Sequence, residues 1–357
     1  MKVMKLITES RIGDNVNRTL ATFIFLSCVS LACPAQEYPL KPIRVVVPFP
    51  PAGTVDLVAR TLSQGLSEAF RQPVTVENRV GANGNLGPEQ VSKAPPDGYT
   101  LLVNGIPHAI NATLYEGSLP FDTVKDFSPI ILAAATPLVL VVTPSLQARN
   151  LAEIISLARA KPGDLNYGSA GNGTMQHLAM EILKLETGIN VVHVPFKGSP
   201  PAMIALMSGT VSIMISDMPT AIPQIRAGKI RALATTAASE VVFAPGVLPF
   251  AAQGFPKLDM KLWIGAFAPA RTPPELVRRL NAEMAKTLDD PQVRKRLASV
   301  SIEPLGGTPQ EFDAYLKSEI ERWGRLFEKA ESGRIESGGY WEPADRPSLS
   351  PCLCLCS

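Results

Sequence analysis

Two glycine-rich loops hold the residues of this 357-residue chain that are best suited to chemistry. The first reads Val47-Pro-Phe-Pro-Pro-Ala-Gly-Thr54-Val-Asp56, and the second reads Tyr167-Gly-Ser169-Ala-Gly-Asn-Gly-Thr174-Met-Gln-His177. Each loop precedes a segment with helical periodicity, and Thr54 is placed to cap the first of these helices. The first N–H groups of a helix have no partner inside the helix and carry a partial positive charge. Both loops are therefore suited to bind an anion.

The anion that these loops favour is a small carboxylate rather than a phosphate. Neither loop has the Gly-x-Gly-x-x-Gly or Gly-Lys-Ser/Thr pattern of nucleotide sites. No Lys or Arg lies between Val45 and Ala59 or between Pro162 and Leu183, so backbone N–H groups and hydroxyls would hold the ligand. Either loop alone is equally well explained as a tight turn. Two such loops in separate halves of the chain favour a paired site.

Other candidate ligand contacts are scattered through the sequence. His177 lies one turn into the second helix, and His108 lies in a loop that we expect to border a cleft. His193 alternates with apolar neighbours, which indicates a core histidine. Asp217 follows an apolar strand, where it would either contact a ligand or cap the next helix. Phe196 is a candidate apolar wall.

The sequence shows no pattern typical of catalysis or metal binding. No histidine pair has metal-ligand spacing, and Ser169 does not lie in a nucleophile elbow. No nucleophile and base can be paired by position. We therefore predict that the chain is not an enzyme and has no catalytic residue, cofactor or metal.

Strands and helices alternate along the body of the chain. Helical periodicity is clearest at 55–70, 151–160, 175–183, 274–289 and 309–330. Apolar strand candidates lie at 43–49, 73–77, 99–104, 130–142, 191–195, 211–216, 230–235 and 262–268. This order predicts an α/β fold with mostly parallel sheets. A body of about 295 residues is large for one core, so two lobes are expected.

Composition excludes several classes of protein. The chain is 46% hydrophobic and 18% charged, which favours a folded core. Lys and Arg number 34 against 32 Asp and Glu, so the basic excess of a nucleic-acid binder is missing. The one apolar stretch of membrane character lies near the N-terminus, which argues against a polytopic transporter.

The two ends differ from the body. Basic residues, the apolar run Thr19–Ala32 and small residues follow one another in residues 1–35, as in a secretory signal peptide. We predict cleavage after Ala35; a lipidated Cys33 and a retained anchor are the alternatives. Residues 333–357 are rich in Gly, Pro and Ser and are predicted to be a disordered tail. No cysteine lies between residues 36 and 351, so no disulfide framework is expected.

The body of the chain resembles the Bug-type receptors, the extracytoplasmic solute-binding proteins of tripartite tricarboxylate transporters. The similarity extends over residues 36–331. It is carried by the two loops and by Tyr38-Pro-x-Lys-Pro-Ile43, Val76-Glu-Asn-Arg79, Pro96-Asp-Gly-Tyr-Thr-Leu101, Lys125-Asp-Phe127, His193-Val-Pro-Phe-Lys-Gly198 and Leu262-Trp-x-Gly265.

The resemblance implies a two-lobed periplasmic binding protein of type II, a Venus flytrap, in which each lobe is a mostly parallel sheet flanked by helices. Lobe 1 would comprise residues 36–138 and 263–332, and lobe 2 residues 139–262. A small carboxylate would bind between the lobes and close them by a hinge motion. The implied protein is a periplasmic monomer that delivers its ligand to membrane permease subunits and binds no nucleic acid.

The family pattern and the sequence together give one set of candidate ligand contacts. The set is Phe49, Ala52, Gly53, Thr54, Asp56, His108, Ser169, Ala170, Gly171, Thr174, His177, Phe196 and Asp217. The first loop departs from the family, because Ala52 stands where Gly is usual and alanine does not readily adopt a positive φ. The segment 238–254 departs as well, since it lacks the family's Arg and Pro-Thr-x-x-Glu. A receptor for a signalling partner and an enzyme using the same cleft are the alternatives.

Overall fold

A ten-stranded sheet forms the centre of the chain in a computed structural model, which describes residues 38–241 and 244–337. All the elements belong to the compact unit that begins at Lys41. The strands are β1 (Ile43–Val47), β2 (Val74–Asn78), β3 (Thr100–Gly105), β4 (Phe127–Val142), β5 (Asn166–Ser169), β6 (Val192–Pro195), β7 (Ile213–Asp217), β8 (Arg231–Thr235), β9 (Lys261–Pro269) and β10 (Glu303–Gly306).

Helices lie between the strands along most of the chain. In the described residues they are α1 (Thr54–Phe70), α2 (Leu86–Ser92), α3 (Pro107–Leu114), α4 (Leu151–Ala160), α5 (Met175–Thr187), α6 (Ser199–Met207), α7 (Met218–Arg226), α8 (Pro274–Asp289), α9 (Pro291–Ala298) and α10 (Pro309–Ser337). The alternation predicted from the sequence is therefore present. No helix within residues 38–241 or 244–337 is both long and apolar enough to cross a bilayer.

The long strand β4 joins two parts of the sheet. It pairs with β9 from Phe127 to Pro137, and from Leu138 onwards it pairs instead with β7 and β8. We call β1, β2, β3, β9, β10 and the start of β4 the first segment. The second segment is β5 to β8 with the end of β4. Where the chain passes between segments, the Thr236 hydroxyl accepts from Leu138 N at 2.8 Å and donates to Met260 O at 2.6 Å.

The prediction of mostly parallel sheets requires a correction, because the sheet is mixed. Parallel pairings join β1 to β2 and β3, and β5 to β6 and β7. All pairings of β4 and β9 are antiparallel. Parallel strands need crossover helices, which the βα units supply at the outer strands. At the centre, β9 returns beside β3 and β4 in the opposite direction.

Apolar faces of the helices close the core against the sheet. Helix α1 buries Val58, Leu62 and Leu66, whose spacing of four residues places them on one helical face. Burying each such side chain contributes about 1.5–3 kcal/mol to stability. In the second segment, Val139 on β4 and Leu206 on α6 belong to one buried cluster. The starts of the helices, where the loops lie, are thus held by packed elements.

Both predicted chain ends lie mostly outside the described residues. The predicted signal peptide, residues 1–35, is outside them entirely. Helix α10 extends to Ser337, so the first five residues of the predicted tail are helical. The rest of that tail, 338–357, lies outside the described residues.

Candidate functional site

The first glycine-rich loop connects β1 to α1 and presents the start of that helix. Gly53 is the N-cap in extended backbone, and none of the described side chains caps the helix. Thr54 is the first helical residue, so the prediction that it caps α1 is wrong. Its buried hydroxyl instead donates to the Asp217 carboxylate of the second segment. The free N–H groups at this helix start stay available for an anion.

Asp56 anchors the first loop rather than contacting a ligand. Its carboxylate accepts from Arg60 Nε at 2.8 Å and Arg60 Nη2 at 3.0 Å. It also accepts from Asn78 Nδ2 at 2.9 Å and from Ala52 N at 3.0 Å. Burial raises the pKa of Asp56, but these hydrogen bonds outweigh burial and hold that pKa below its usual value. The predicted ligand role of Asp56 is therefore corrected, because its oxygens are occupied by Ala52, Arg60 and Asn78.

Ala52 takes a backbone conformation that usually belongs to glycine. Its φ is 64°, whereas Gly53 has a φ of −81°. An L-residue in the left-handed region brings its Cβ too close to the backbone, at a cost of roughly 1–2 kcal/mol. The Ala52 amide still reaches Asp56, so the loop keeps its form in spite of the departure from the family's Gly-Gly.

The second glycine-rich loop is built around Ser169 at the end of β5. Its fully buried hydroxyl accepts from Gly171 N at 3.1 Å and lies 2.7 Å from His193 Nε2. Thr174 is the N-cap residue of α5, and its hydroxyl donates to Gly171 O at 2.7 Å. Ser169 and Gly171 thus shape the loop from within, while Ala170 and Thr174 face the cleft.

His177 and His193 support the second loop from behind. Their rings stack with centroids 4.2 Å apart, and Gly173 N donates to His177 Nδ1 at 3.2 Å. Burial lowers the pKa of both histidines, and the neighbouring Lys184 charge, together with repulsion from a protonated His177, helps to lower that of His193 to about 3. Both rings are therefore neutral at pH 7. His193 was expected in the core; here it is the hydrogen-bond partner of Ser169.

His108 and Phe196 are not among the residues that line the cleft, contrary to prediction. His108 is 2% exposed, packs against Phe127 and Phe267, and has its Nε2 3.0 Å from Thr123 O. Burial lowers its pKa to about 4. It lies within α3, a helix that the sequence analysis did not predict. Phe196 packs against the apolar cluster of the second segment.

A cleft between the two segments brings six of the predicted residues together. It encloses about 430 Å³, its mouth included. The predicted residues that line it are Phe49, Gly53, Thr54, Ala170, Thr174 and Asp217. The other seven predicted residues do not line it; they are Ala52, Asp56, His108, Ser169, Gly171, His177 and Phe196. Among described residues, no Lys or Arg lines the cleft.

Five of the described helices begin at this cleft. In each case the N-cap residue or the first residue of the helix lines the cleft. These residues are Thr54 of α1, Pro107 of α3, Thr174 of α5, Ser199 of α6 and Asp217 of α7. A helix N-terminus carries a charge equivalent to roughly +0.5. These helix dipoles contribute positive potential to the cleft, beside the carboxylate of Asp217 in its wall.

The segments touch each other at the mouth of the cleft. Thr54 bonds to Asp217 across it, and Pro50 lies against Gly198. A Cβ on Gly198 would lie 2.7 Å from Pro50 Cδ and Cγ, and the φ of Gly198 is 121°. Only glycine permits this approach. Sequence reasoning missed the Gly198-Ser199-Pro-Pro start of α6, although Pro in the first turn of a helix was a readable signal.

Gln176 is a second lining residue that the sequence did not reveal. Its Nε2 lies 3.3 Å from Ser199 Oγ and 3.4 Å from Asp217 Oδ1. Gln176 thereby connects the starts of α5, α6 and α7. These three elements are distant in sequence, so no local pattern marks the residue.

Comparison with known proteins identifies the family. The model of the tripartite tricarboxylate transporter family receptor matches residues 58–331. The chain belongs to this family. It is 34% identical to the protein BugT of Bordetella pertussis over 314 residues, which cover 87% of this chain and 96% of BugT. The resemblance to Bug-type receptors is confirmed.

Solved structures share the fold of this family member. Rpa4515 of R. palustris, solved with adipate, superposes with a TM-score of 0.79 at 35% identity, covering 83% of this chain and 99% of that one. MatC of Rhodopseudomonas palustris, solved with bound malate, gives a TM-score of 0.76 at 31% identity, covering 81% and 99%. The predicted periplasmic-binding-protein α/β fold is confirmed, with the mixed sheet described above.

Proposed function

We propose that this protein is a periplasmic receptor that binds a small organic carboxylate in the cleft and delivers it to a tripartite tricarboxylate-type permease. The observation that carries the proposal is the convergence of five helix starts on a cleft whose described lining contains no Lys or Arg. Backbone N–H groups and hydroxyls suit a carboxylate better than a highly charged phosphate, which usually needs cations.

The family and the bound acids of its relatives support the ligand class. Rpa4515 was solved with adipate and MatC with malate, and both ligands are small dicarboxylic acids. Each relative is at least 31% identical to this chain over about four-fifths of its length. We therefore propose the same class of ligand, a small carboxylic acid, for this protein, without proposing adipate or malate itself.

The two sheet segments would act as two lobes that close around the ligand. The first lobe would comprise residues 36–138 and 263–332, and the second lobe residues 139–262. Two features support this division: the change of partners in β4 at Leu138 and the Thr54–Asp217 contact across the cleft. A closed pair of lobes would present the loaded receptor to the permease or, in the alternative role, to a signalling partner.

An enzymatic use of the cleft has one observation in its favour, the 2.7 Å contact between Ser169 and His193. A serine paired with a histidine can be an activated nucleophile. Ser169, however, is fully buried, does not line the cleft, and has its hydroxyl engaged with Gly171. The pair fits a role in shaping the loop, so we propose a receptor rather than an enzyme.

Thermal unfolding with a panel of small carboxylates and their uncharged amides tests the proposal. A ligand that binds only the folded protein stabilises it by RT ln(1 + [L]/Kd), about 2.7 kcal/mol at a hundredfold excess over Kd. We expect at least one acid, and none of the amides, to raise the melting temperature, and the acid to be recovered unchanged. Stabilisation by amides alone, or conversion of the acid, would contradict the proposal.

A further inference from the structure

A further contact between the two sheet segments is made by other elements than the Thr54–Asp217 bond. It joins Leu114, the last residue of α3, to Gly173 of the second glycine-rich loop. A Cβ on Gly173 would lie 2.5 Å from Leu114 Cδ2, so the leucine side chain packs directly on the glycine backbone. Helix α3 packs on β3 and α10 of the first segment, whereas Gly173 lies between β5 and α5 of the second. The contact therefore crosses from one segment to the other.

The buried side chain of Asn111 faces the same glycine. A Cβ on Gly173 would lie 3.4 Å from Asn111 Oδ1, an oxygen with no hydrogen-bond donor among the described residues. Asn111 is 2% exposed, and its Nδ2 donates to Asn83 O at 3.2 Å and to Asn85 Oδ1 at 2.8 Å. These bonds hold the amide in its orientation. A glycine Cα–H fits beside such an oxygen, because Cα–H···O contacts are weakly favourable.

The backbone of Gly173 links this contact to the wall of the cleft. Gly173 has a φ of 69°, and its N–H donates to His177 Nδ1 at 3.2 Å. The next residue, Thr174, is the N-cap of α5 and lines the cleft, whereas Leu114 and Gly173 do not. A change in how Leu114 packs on Gly173 therefore shifts the cleft wall without touching a bound ligand.

The contact of Pro50 with Gly198 is of the same kind, since a side chain of the first segment packs on a glycine of the second. It joins the loop before α1 to the start of α6, so the two contacts use separate elements. The chain crossing at Thr236, bonded to Leu138 N and Met260 O, is a third connection. Three connections at separate elements fix the position of one segment relative to the other.

We propose that Leu114 is a positioning residue, which fixes the closed position of the two segments by packing on Gly173. We call this pair the closure contact. It exists only when the segments are together, so it holds the cleft closed and slows release of the ligand. Only the effect on affinity rests on the proposed receptor function; the closure contact itself does not depend on it.

Disulfide trapping tests the closure contact without any ligand. A Cβ on Gly173 lies 2.5 Å from Leu114 Cδ2, so the Cβ atoms of the two residues come within about 5 Å, near the distance in disulfides. No natural cysteine lies between residues 36 and 351, and peptide mapping identifies the new bond. We expect Leu114→Cys with Gly173→Cys to cross-link on oxidation, which traps even brief closure.

The control for trapping is Leu114→Cys with Gly188→Cys. Gly188 is the C-cap of α5 and also has a φ of 69°, but a Cβ there would have no atom within 4 Å among the described residues. This pair should not cross-link. A folded Leu114→Cys, Gly173→Cys variant without the cross-link, or equal cross-linking in the control, would overturn the inference.

Calorimetric titration with succinate, malate, glutarate and adipate measures the effect on binding. For the acid that the wild type binds most tightly, Leu114→Ala and Gly173→Ala should each raise Kd about five- to tenfold, through faster dissociation. Both remove the same contact, so the double variant should bind no more weakly than Gly173→Ala alone. Gly188→Ala introduces the same backbone strain away from the contact and should bind as the wild type does.

The two measurements separate the closure contact from the ligand class. Wild-type affinity in Leu114→Ala, or effects of the two substitutions that simply add, would overturn the inference while leaving the carboxylate receptor standing. If Gly173→Ala does not fold, Leu114→Ala and the cross-link still decide. If the wild type binds none of the four acids, the cross-link alone decides the inference, and the proposed function fails separately for these acids.

Discussion

The hydrogen bond between Thr54 and Asp217 gives a quantitative prediction about ligand affinity. It joins the loop before α1 to the start of α7, and so it spans the cleft. Thr54→Val keeps the shape of the buried side chain and removes the hydroxyl. The bond exists only when the two segments are together, so its loss acts on cleft closure rather than on the folding of either segment.

The size of the effect follows from the kind of bond that is lost. A hydrogen bond to a charged group contributes about 1.5–3 kcal/mol, because the unpaired carboxylate would otherwise be desolvated. When the cleft is open, water replaces the threonine hydroxyl, so the full difference appears in ligand binding. At 25 °C this corresponds to roughly 10- to 150-fold weaker binding.

Calorimetric titration of the best-binding acid, with small-angle scattering for closure, is the assay. Thr54→Ser retains the hydroxyl and should bind nearly as the wild type. Thr220→Val is a matched control, because Thr220 donates to the same carboxylate oxygen from within the second segment, at 2.7 Å. It should change affinity far less than Thr54→Val. Equal affinities of Thr54→Val and the wild type would refute the reasoning.

Three further predictions concern stability. Ala52→Gly should raise the free energy of unfolding by about 0.5–1 kcal/mol. The strain energy that is relieved at the left-handed backbone position exceeds the extra conformational entropy that glycine gives to the unfolded chain. Arg60→Met should lower it by about 1 kcal/mol, since Asp56 loses two hydrogen bonds while the half-exposed Arg60 is partly screened by solvent. The contribution of His108 to the free energy of unfolding should be present above pH 6.5 and should be lost as the pH drops towards 4. The reason is that the buried His108, with its pKa lowered to about 4, takes up a proton only on unfolding.

Urea unfolding measures all three. For His108 the loss should reach about 1.6 kcal/mol between pH 6.5 and 5, because the slope approaches 1.36 kcal/mol per pH unit only below the unfolded pKa of about 6.5. His108→Phe should remove the His108 share of this dependence, while His177 and His193, whose pKa values burial also lowers, keep the rest. An equally steep curve in that variant would show that His108 takes no part. A destabilised Ala52→Gly would contradict the strain at φ 64°. Unchanged stability in Arg60→Met would mean that the Asp56–Arg60 pair does not contribute to the fold.

The regular elements were readable from the sequence because their patterns are local. Helix α1 has Val58, Leu62 and Leu66 on one face, and β1 is an apolar run before a Pro-rich turn. Helix α3 was missed, because its eight residues are too few for a clear period. Strand β5 was read as part of a loop. It has four residues and includes Gly168, and its form depends on pairing with β6 and β7.

In the candidate site, too, the local features were predictable from the sequence and the long-range contacts were not. The loops were predictable because each is one continuous segment, and the contact of Asp56 with Arg60 follows from i,i+4 spacing on a helix. Thr54 and Asp217 are 163 residues apart. No local pattern pairs them, and only the meeting of the two segments does. For the same reason, the sequence did not reveal that His193 lies beside Ser169 across neighbouring parallel strands.

A crystal structure of the protein with its best-binding acid tests the central claim most directly. The account predicts the ligand in the cleft between the two segments, with a carboxylate within hydrogen-bond distance of backbone N–H groups at the starts of α1 and α5. It also predicts that the Thr54–Asp217 contact is kept. A ligand bound outside the cleft, or a carboxylate held by a lysine or arginine away from these helix starts, would contradict it.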